Sequence, residues 1–327
     1  MELSIIIVNY RTAGLILDCL ETVYTQSSDL EFEVFVVDND SGDDSRERIL
    51  NKYPQIRWIQ MGYNSGFARA NNAAIRLAAG EAILLLNPDT LIEDNAITAC
   101  YRLFKSSPYV ACGVQLLNED KTPQITGSYF MRGGLNYLLP LPFLGNWIKA
   151  VANTFKVARP SIPEATGLVE VHWINGAFLM VRRTAWEKAG LMDEDFFLYA
   201  EEIEWCSRLH KEGPIAVYGH LHIIHLQGAS ANMAFGSEGS GYYNLFDTKG
   251  LQIMLSNFVR IRKQLGISWF LFHFLVYLAE MPIFLVGIVF SRRFSLAQFH
   301  GYCSNMMRLT RLIPTIIRNK PYLYKVI

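Results

Sequence analysis

The sequence lacks the features that mark several common classes of protein. Its five cysteines are scattered, with no CxxC pair and an odd total, which argues against a disulfide framework and a zinc site. We expect them to be reduced core residues. No basic segment or cleavage site precedes the first apolar run, so we expect no signal peptide and a first domain that stays in the cytoplasm. The GxGxxG fingerprint and the GxxxxGK[ST] loop are also absent, which excludes the two commonest nucleotide-binding motifs.

Acidic residues are missing from the C-terminal end of the chain. The last 37 residues, from Ser291 on, carry seven Lys or Arg and no Asp or Glu, although the formal net charge of the chain is +0. The remainder is therefore acidic, with 23 basic against 30 acidic residues. A basic, hydrophobic end behind an acidic body favours anionic phospholipid as a partner over nucleic acid.

The 327 residues, 51% of them hydrophobic, can fill a large core. Apolar runs predict four strands, at Ser4 to Val8, Val34 to Val37, Ile56 to Gln60 and Ala82 to Leu86. Helical patterns lie between them, from about Leu15 to Tyr24 and from Ala68 to Ala79. Because the strands are continuous rather than alternating in hydrophobicity, they indicate an α/β fold with a mostly parallel sheet covered by helices on both faces.

Polar residues terminate these strands. Asn9 and Arg11 follow the first strand, Asp38 follows the second, and Asn87 and Asp89 follow the fourth. Strand ends in such sheets face the ligand crevice, so these side chains are candidates for a binding site. An ordinary turn with helix caps explains each of them equally well when it is read alone.

A second candidate is the stretch from Asn64 to Asn72. Gly66 permits a tight turn whose backbone N–H groups can approach a phosphate, and Arg69 supplies positive charge. The alternative is again a turn that caps a helix.

The stretch FFLYAEEIEW, residues 196–205, contains three carboxylates within four positions. Glu201, Glu202 and Glu204 repel one another and lose solvation if they are buried beside these aromatic residues, which suggests that at least one of them is used. The alternative is a solvated first turn of a helix, where the helix dipole favours acids.

Two further regions differ from this pattern. Residues 121–166 are interrupted by Pro and Gly and indicate a variable insertion. Residues 267–290 are long enough to span a bilayer, but His273, Glu280 and Pro282 interrupt them. A single crossing would also place the basic tail outside the cytoplasm, against the positive-inside tendency. We therefore expect an in-plane or re-entrant amphipathic helix pair on the inner leaflet, with a buried soluble helix as the alternative.

Seven motifs in fixed order resemble a known family. They are SIIIVNYRT, VFVVDNDSGD, NSGFARANNAAI, ILLLNPDT, INGAFLMVRR, FFLYAEEIEWCSRL and HIIHLQGAS. They are similar to the family 2 glycosyltransferases with a GT-A fold, and among them to the rhamnosyltransferase-like enzymes of bacterial surface polysaccharide assembly. The resemblance covers roughly residues 3 to 230. It implies a catalytic domain over 1–243, with a nucleotide-sugar half at 1–115 and an acceptor and catalytic half at 116–243. The tail at 244–327 lies outside the resemblance, and from its apolar and basic composition we expect it to be helical and membrane-associating.

The resemblance implies a role for each candidate. Nucleotide-sugar binding is assigned to Asn9, Arg11, Asp38, Asn64, Gly66, Arg69, Asn72, Asn87 and Asp89. A divalent cation, Mn²⁺ or Mg²⁺, is assigned to Asp89 and His225, the latter preceding a G-x-S turn. The family carries two acids around one residue at this strand end, and only Asp89 retains a carboxylate here. His220 and His222 have no match, so we expect a core or surface role for them.

Acceptor and catalytic roles fall on the second half. Trp173, Asn175 and Gly176 lie on the segment associated with acceptor binding, although a core role explains Trp173 equally well. The general base is assigned to Glu202, where the family carries Asp, and the extra methylene leaves Glu201 open as the group that contacts the acceptor. We expect Glu204 to brace the helix start or a neighbouring basic group.

These assignments predict an inverting, metal-dependent glycosyltransferase, peripheral or monotopic on the cytoplasmic face of the inner membrane. The resemblance favours rhamnose from dTDP-rhamnose as donor and a polyprenyl-diphosphate-linked saccharide as acceptor, in O-antigen, capsule or other surface polysaccharide synthesis. We expect no nucleic-acid partner, and self-association stays open. Alternatives are a UDP-hexose-using transferase and an inactive membrane-bound scaffold. A nucleotidyltransferase is disfavoured because the first strand lacks a Gly-rich GxGTR-like opening.

Overall fold

A computed structural model describes residues 1–226, 235–237, 244–291 and 293–326. The packing divides the chain into two compact units. The first comprises Met1–Tyr129, Ser161–Glu194 and Glu201–Ala234, and the second comprises Phe130–Pro160, Asp195–Ala200 and Phe235–Ile327. The expected boundary between residues 243 and 244 falls beside undescribed residues and stays a prediction.

The first unit contains a nine-stranded sheet among the described residues. The chain's strands are β1 (Leu3–Asn9), β2 (Phe32–Asp38), β3 (Arg57–Gln60), β4 (Ala82–Leu86), β5 (Thr90–Ile92), β6 (Ala111–Leu117), β7 (Gly127–Ser128), β8 (Leu168–Val171), β9 (Trp173–Ile174), β10 (Phe178–Arg182) and β11 (Ile215–His225). The order in the large sheet is β3-β2-β1-β4-β10-β6-β11-β5, with β8 beside β11, while β7 and β9 form a separate pair. Strands β3, β2, β1 and β4 are parallel, as predicted, whereas β10 is antiparallel to both β4 and β6.

Helices cover both faces of this sheet, as the continuous apolar strands predicted. The helices of the unit are α1 (Ala13–Gln26), α2 (Ser45–Lys52), α3 (Gly66–Ile75), α4 (Ala96–Lys105), α6 (Arg183–Ala189) and α7 (Glu201–Leu209). Alternate residues of one strand enter different cores: Ile5 lies in the first hydrophobic cluster and Ile6 in the second, and both are fully buried. The parallel register aligns Asn9, Asp38 and Gln60, so the polar ends of β1, β2 and β3 meet at one edge.

The second unit is mostly helical. It contains a 3₁₀ helix (Arg132–Leu138), α5 (Leu144–Thr154), α8 (Thr248–Arg260), a π turn (Ile261–Leu265), α9 (Ile267–Phe290) and α10 (Leu296–Arg318). Its core is rich in aromatic rings, including those of Phe258, Phe270, Tyr277, Phe284 and Tyr302. Part of the predicted insertion, residues 130–160, therefore packs with the C-terminal helices rather than forming an irregular loop.

The polar residues that interrupt the apolar run of α9 face into this unit. The two ring nitrogens of His273 lie 2.8 and 3.0 Å from the carbonyl oxygens of Trp269 and Gly134. The Glu280 carboxylate accepts hydrogen bonds from the backbone N–H groups of Phe143 and Leu144, at 2.7 and 3.0 Å. Both side chains are fully buried, and apart from Trp269 in α9 itself their partners lie at the start of α5 and in the 3₁₀ helix.

Candidate active site

The end of β2 is organised by Asp38. One carboxylate oxygen accepts from the Asn9 amide (2.7 Å) and the Ser41 hydroxyl, and the other accepts from the Ser41 backbone N–H (3.0 Å) and the Gln60 amide (2.7 Å). Arg11, whose φ of 59° lies in the left-handed region, donates from Nε to the Ser41 carbonyl. The side chain of Asp38 thus fixes the edge formed by the first three strands, because its lone pairs are already engaged by the protein.

The loop that starts α3 is attached to this edge. Asn39, directly after Asp38, donates to the Gly66 carbonyl and accepts from the backbone N–H and hydroxyl of Ser65. The Asn64 side chain accepts from the Gly66 N–H at 3.3 Å, and Gly66 has a φ of 81° that favours glycine. The structure therefore brings Asn64 and Gly66 to the strand edge that carries Asn9 and Asp38.

Two other residues of the same predicted motif point elsewhere. Asn72 is fully buried and exchanges hydrogen bonds with the backbone of Met192, and it also donates to the Glu194 carboxylate. Arg69 donates to the Glu194 carbonyl at 3.0 Å and to the Tyr63 hydroxyl at 3.3 Å. Both side chains thus hold the loop that ends at Glu194.

Asp89 follows β4 and is buried at the end of the sheet. Neither carboxylate oxygen accepts a hydrogen bond from any residue within the described ranges. His225, the last residue of β11, pairs with Thr90 and places Nε2 3.5 Å from Asp89 Oδ1 and 3.4 Å from the Asn87 amide nitrogen. A buried carboxylate without donors requires a cation or a proton nearby.

Gln124 sets the tautomer of His225. Its amide nitrogen donates to the His225 carbonyl at 2.6 Å, so its amide oxygen faces the ring, 2.8 Å from Nδ1. Nδ1 therefore carries the hydrogen, and in the neutral imidazole the Nε2 lone pair accepts from the Asn87 amide at 3.4 Å and lies 3.5 Å from Asp89 Oδ1. This is the arrangement of a metal-binding histidine that is oriented by a second residue.

Among the described residues, two side chains at this end of the sheet, those of Asp89 and His225, supply such ligands. The part of the chain that the structure describes contains no group of three or more His, Cys, Asp or Glu suited to a metal ion. The pair of Asp89 and His225 offers one carboxylate and one imidazole, a donor set that Mn²⁺ accepts and that leaves positions for phosphate and water oxygens. The predicted G-x-S turn, residues 228–230, lies outside the described residues.

The three carboxylates of α7 are buried at its first turn. Glu201, Glu202 and Glu204 are between 3% and 6% exposed, so the alternative of a solvated helix start is wrong. Glu204 forms a bidentate ion pair with Arg208, at 2.7 and 2.8 Å, which matches the expected bracing role. Burial raises the pKa of Glu202 to about 7, although the nearby backbone N–H groups of Ile203 and of its own residue favour the ionised form.

The predicted acceptor segment lies against Glu202. A Cβ added to Gly176 would stand 3.7 Å from Glu202 Cβ and 3.7 Å from a ring carbon of Phe67, which is ordinary contact distance. Asn175 forms a turn by accepting from the Ala177 N–H, and the Ala177 carbonyl accepts from the Asn87 N–H at 3.0 Å. This turn thus connects the strand end that carries Asp89 with the helix that carries Glu202. Trp173 is half-buried and packs on the core, as its alternative reading expected.

Sequence reasoning missed several organising residues. Gln60 could have been found, because it ends the third predicted strand in the same way as Asp38 ends the second. Gln124 carried no signal, since it lies in the irregular segment and meets His225 across 101 positions. His222 is half-exposed, with Nε2 3.8 Å from Asp94, in agreement with a surface role.

The likeness to known proteins agrees with this geometry. Residues 4–163 match the family described as Glycosyl transferase family 2. Haloferax volcanii "Low-salt glycan biosynthesis hexosyltransferase Agl10" is 28% identical over 64% of this chain and 62% of its own length. The "N-acetylglucosaminyl-diphospho-decaprenol L-rhamnosyltransferase" of Mycobacterium tuberculosis is 27% identical over 57% and 63%. The chain thus spans a little under two thirds of the length of these curated relatives.

A third relative and two solved structures extend the comparison. Escherichia coli "Rhamnosyltransferase WbbL" is 26% identical over 68% of this chain and 82% of its own. The S. aureus TarS complex with UDP-GlcNAc has a TM-score of 0.52 at 14% identity, covering 97% of this chain and 83% of that one. GalNAc-T7 with UDP, GalNAc and Mn²⁺ has a TM-score of 0.52 at 12% identity, covering 83% and 56%. These structural likenesses show the GT-A-like fold, and residues 4–163 of the chain are similar to Glycosyl transferase family 2.

Proposed function

We propose that this protein is an inverting, metal-dependent glycosyltransferase that moves a sugar from a nucleotide-sugar to a lipid-linked saccharide. The observation that carries the proposal is Glu202, a buried carboxyl group beside the Asn175–Gly176 turn whose pKa is raised to about 7 by burial. A sugar hydroxyl is a poor nucleophile, and a base with a pKa near the working pH is suited to taking its proton.

Glu202 is the preferred base among the three acids. Glu204 is engaged by Arg208, which keeps it a structural carboxylate. Glu201 stays the second candidate, because it is equally buried at the same helix start. In the proposed reaction, ionised Glu202 accepts the proton of the acceptor hydroxyl as that oxygen attacks the anomeric carbon. The sugar–phosphate bond breaks on the opposite face, which inverts the anomeric configuration.

Asp89 and His225 would hold a divalent cation. The Asp89 oxygens, which accept no hydrogen bond from the described residues, and the lone pair at His225 Nε2 fit such an ion, and the Asn87 amide lies 3.4 Å from Nε2. A divalent cation bound there supplies charge neutralisation for the departing diphosphate. The nucleoside would lie along the ends of β1 and β2, where Asp38 orders Asn9 and Arg11 with Ser41.

The names of the sequence relatives favour a rhamnose donor and a polyprenyl-linked acceptor. Two of them are rhamnosyltransferases, and the name of the Mycobacterium tuberculosis protein specifies a polyprenyl-diphosphate saccharide. We therefore propose rhamnose from dTDP-rhamnose and a polyprenyl-diphosphate-linked acceptor in cell-surface polysaccharide synthesis. A UDP-hexose is the second candidate, since the Haloferax volcanii relative is named a hexosyltransferase.

A lipid acceptor requires access to a membrane, and α9 offers a surface for it. It is the one helix within the described ranges that is long and apolar enough to cross a bilayer, with a mean hydropathy of 2.0. Its outward face exposes Leu275, Val286, Val289 and Phe290 and carries no charged residue. We propose that this face rests in the inner leaflet of the plasma membrane, on the cytoplasmic side.

A donor panel tests the assignment. Full-length protein is incubated with dTDP-rhamnose, UDP-glucose, UDP-galactose or UDP-GlcNAc, with and without Mn²⁺, and with a polyprenyl-diphosphate-linked GlcNAc. We expect Mn²⁺-dependent release of dTDP together with rhamnosylated lipid. Turnover with a UDP-sugar but not with dTDP-rhamnose would replace rhamnose by a UDP-hexose as the proposed donor. Absence of turnover with every donor would favour an inactive membrane-bound scaffold.

A further inference from the structure

The two residues before Glu201 have an uncommon backbone conformation. Tyr199 and Ala200 have φ values of 72° and 67°, both in the left-handed region. Neither is a glycine, and a residue with a side chain is strained in this region unless its surroundings hold it there. The chain therefore enters the helix start that carries Glu201 and Glu202 through two conformations that need support.

That support comes from the C-terminal end of the chain. The Tyr324 N–H donates to the Asp195 carbonyl at 2.9 Å, and the Tyr322 N–H donates to Asp195 Oδ1 at 2.9 Å. Phe196 and Tyr324 form a parallel bridge, and the Lys325 ammonium lies 4.9 Å from the ring centre of Phe197. Residues 322–326 thus contact the segment 195–200 through one parallel bridge, two further polar contacts at Asp195 and a cation–π contact at Phe197.

Helix α8 and the π turn contact both segments, residues 195–200 and residues 322–326. Gln252, fully buried, donates to the Tyr324 carbonyl at 3.0 Å and accepts from the Val326 N–H at 3.1 Å. The Ser256 hydroxyl donates to the Leu198 carbonyl at 2.7 Å, and Lys263 forms a 2.6 Å ion pair with Asp195. The buried Gln252 side chain both donates to and accepts from the backbone of residues 324–326. Breaking either hydrogen bond would leave a buried polar group without a partner, so these bonds hold the end of the chain in place.

We propose that residues 322–326 are a positioning element for catalysis, which holds segment 195–200 so that the carboxylates at the start of α7 keep their working orientation. The link is covalent, since Ala200 is bonded to Glu201. Glu202 is the second residue of α7, so a rotation of the backbone at residues 199–200 displaces the first turn of the helix, which carries its carboxylate. This inference rests on the proposed function of Glu202.

Point variants and a truncation test it. Tyr322→Pro removes the N–H that binds Asp195, whereas Tyr322→Ala removes the same half-exposed ring and keeps the N–H. Ending the chain after Pro321 removes the whole element. For the truncation we expect kcat to fall about ten- to a hundredfold, as for a catalytic group displaced by about 1 Å. In Tyr322→Pro, kcat should also fall, but by less than in the truncated chain, and in Tyr322→Ala it should equal that of the wild type.

Two readouts separate positioning from loss of folding. The donor KM should change by less than about twofold, because the donor site lies on the strand ends and only the chemical step is disturbed. The acid limb of the pH–rate profile should move below its wild-type position, since a displaced Glu202 loses its desolvation. A proportionate loss of kcat and active-enzyme concentration with an unchanged pH profile, or identical behaviour of the two Tyr322 variants, would overturn the proposal.

Hydrogen exchange tests the positioning without requiring turnover. Amides of residues 196–206 should exchange faster in the truncated chain and in Tyr322→Pro, while those of β1 and β4 stay protected. If exchange changes in this way but the wild type transfers no sugar, the proposed function fails and the positioning contact stands. Unchanged exchange at residues 196–206 would refute the positioning element whatever the activity.

Discussion

Replacing Glu202 by glutamine should stabilise the protein and inactivate it. Burial raises the pKa of Glu202 from an ordinary 4.5 to about 7. A carboxyl group whose pKa is higher in the folded than in the unfolded state is held more favourably when it is protonated, so folding is penalised once it must ionise. The penalty is absent below about pH 4.5, grows as the pH rises and is complete above about pH 7.

The size of this penalty follows from the two pKa values. The difference between 4.5 and about 7 corresponds to about 3 kcal/mol at pH 8. Glutamine has nearly the same shape and no charge, but it keeps one acceptor oxygen for the two backbone N–H groups. We therefore expect Glu202→Gln to increase the free energy of unfolding by about 2 kcal/mol at pH 8 and by little at pH 4.5. Loss of the base should lower kcat by about a hundred- to ten-thousandfold.

Urea unfolding of both proteins at pH 4.5 and 8 measures the stability, and rhamnosyl transfer measures kcat. Glu204→Gln is the matched control, because it makes the same chemical change two positions along α7. It should destabilise the protein by about 1 to 3 kcal/mol, since Arg208 loses its bidentate partner. A stability gain for Glu202→Gln that is equal at the two pH values, or a loss at pH 8, would refute the burial argument, and full activity would refute the assignment of the base.

Three further outcomes are expected. Asp89→Asn should abolish Mn²⁺-stimulated transfer and leave the melting temperature without metal unchanged or higher, because the uncompensated charge is removed; calorimetric Mn²⁺ titration and thermal melts check both. Gln124→Leu should weaken Mn²⁺ binding about ten- to a hundredfold by freeing the His225 ring, and a wild-type affinity would contradict the orienting role. Leu275→Glu should reduce cosedimentation with phosphatidylglycerol vesicles, whereas Leu77→Glu, an equally apolar exposed site on the first unit, should not.

Strands β1, β2 and β4 of the sheet could be predicted from local sequence patterns, because each contains a short continuous apolar run that is buried on both faces. β4 was predicted to the residue, since five apolar positions fill both cores and Asn87-Pro88 ends the strand. α3 begins two residues earlier than predicted, at Gly66, whose φ of 81° is a conformation that glycine adopts easily. The helix ends at Ile75 rather than at Ala79. The antiparallel insertion of β10 beside β4 was not predictable, because pairing across about 95 positions leaves no periodic signal.

Some residues of the candidate site could likewise be identified from the sequence, whereas the roles of others depend on contacts in the folded chain. Asn9, Asp38 and Asp89 were identifiable because they end strands, and strand ends meet at one edge. Asn72 and Arg69 carried the same motif signal, yet their side chains hold Met192 and Glu194, since a helix exposes its successive residues in different directions. The tautomer of His225 depends on Gln124, a contact that only the folded chain creates.

The polar residues of α9 favour the proposed in-plane position over a membrane crossing. His273, Tyr277 and Glu280 recur at helical spacing on one face, and their partners extend from Gly134 to Leu144. At 1.5 Å per residue, the part of the helix from His273 to Glu280 is about 10 Å long, so a crossing α9 would carry this segment into the hydrocarbon. The segment includes turns at Gly133 and Gly134 with φ near 62° and 68°, and irregular backbone exposed to lipid leaves polar groups unsatisfied. An in-plane α9 avoids that cost, because its polar face stays on the protein while its uncharged face enters the leaflet.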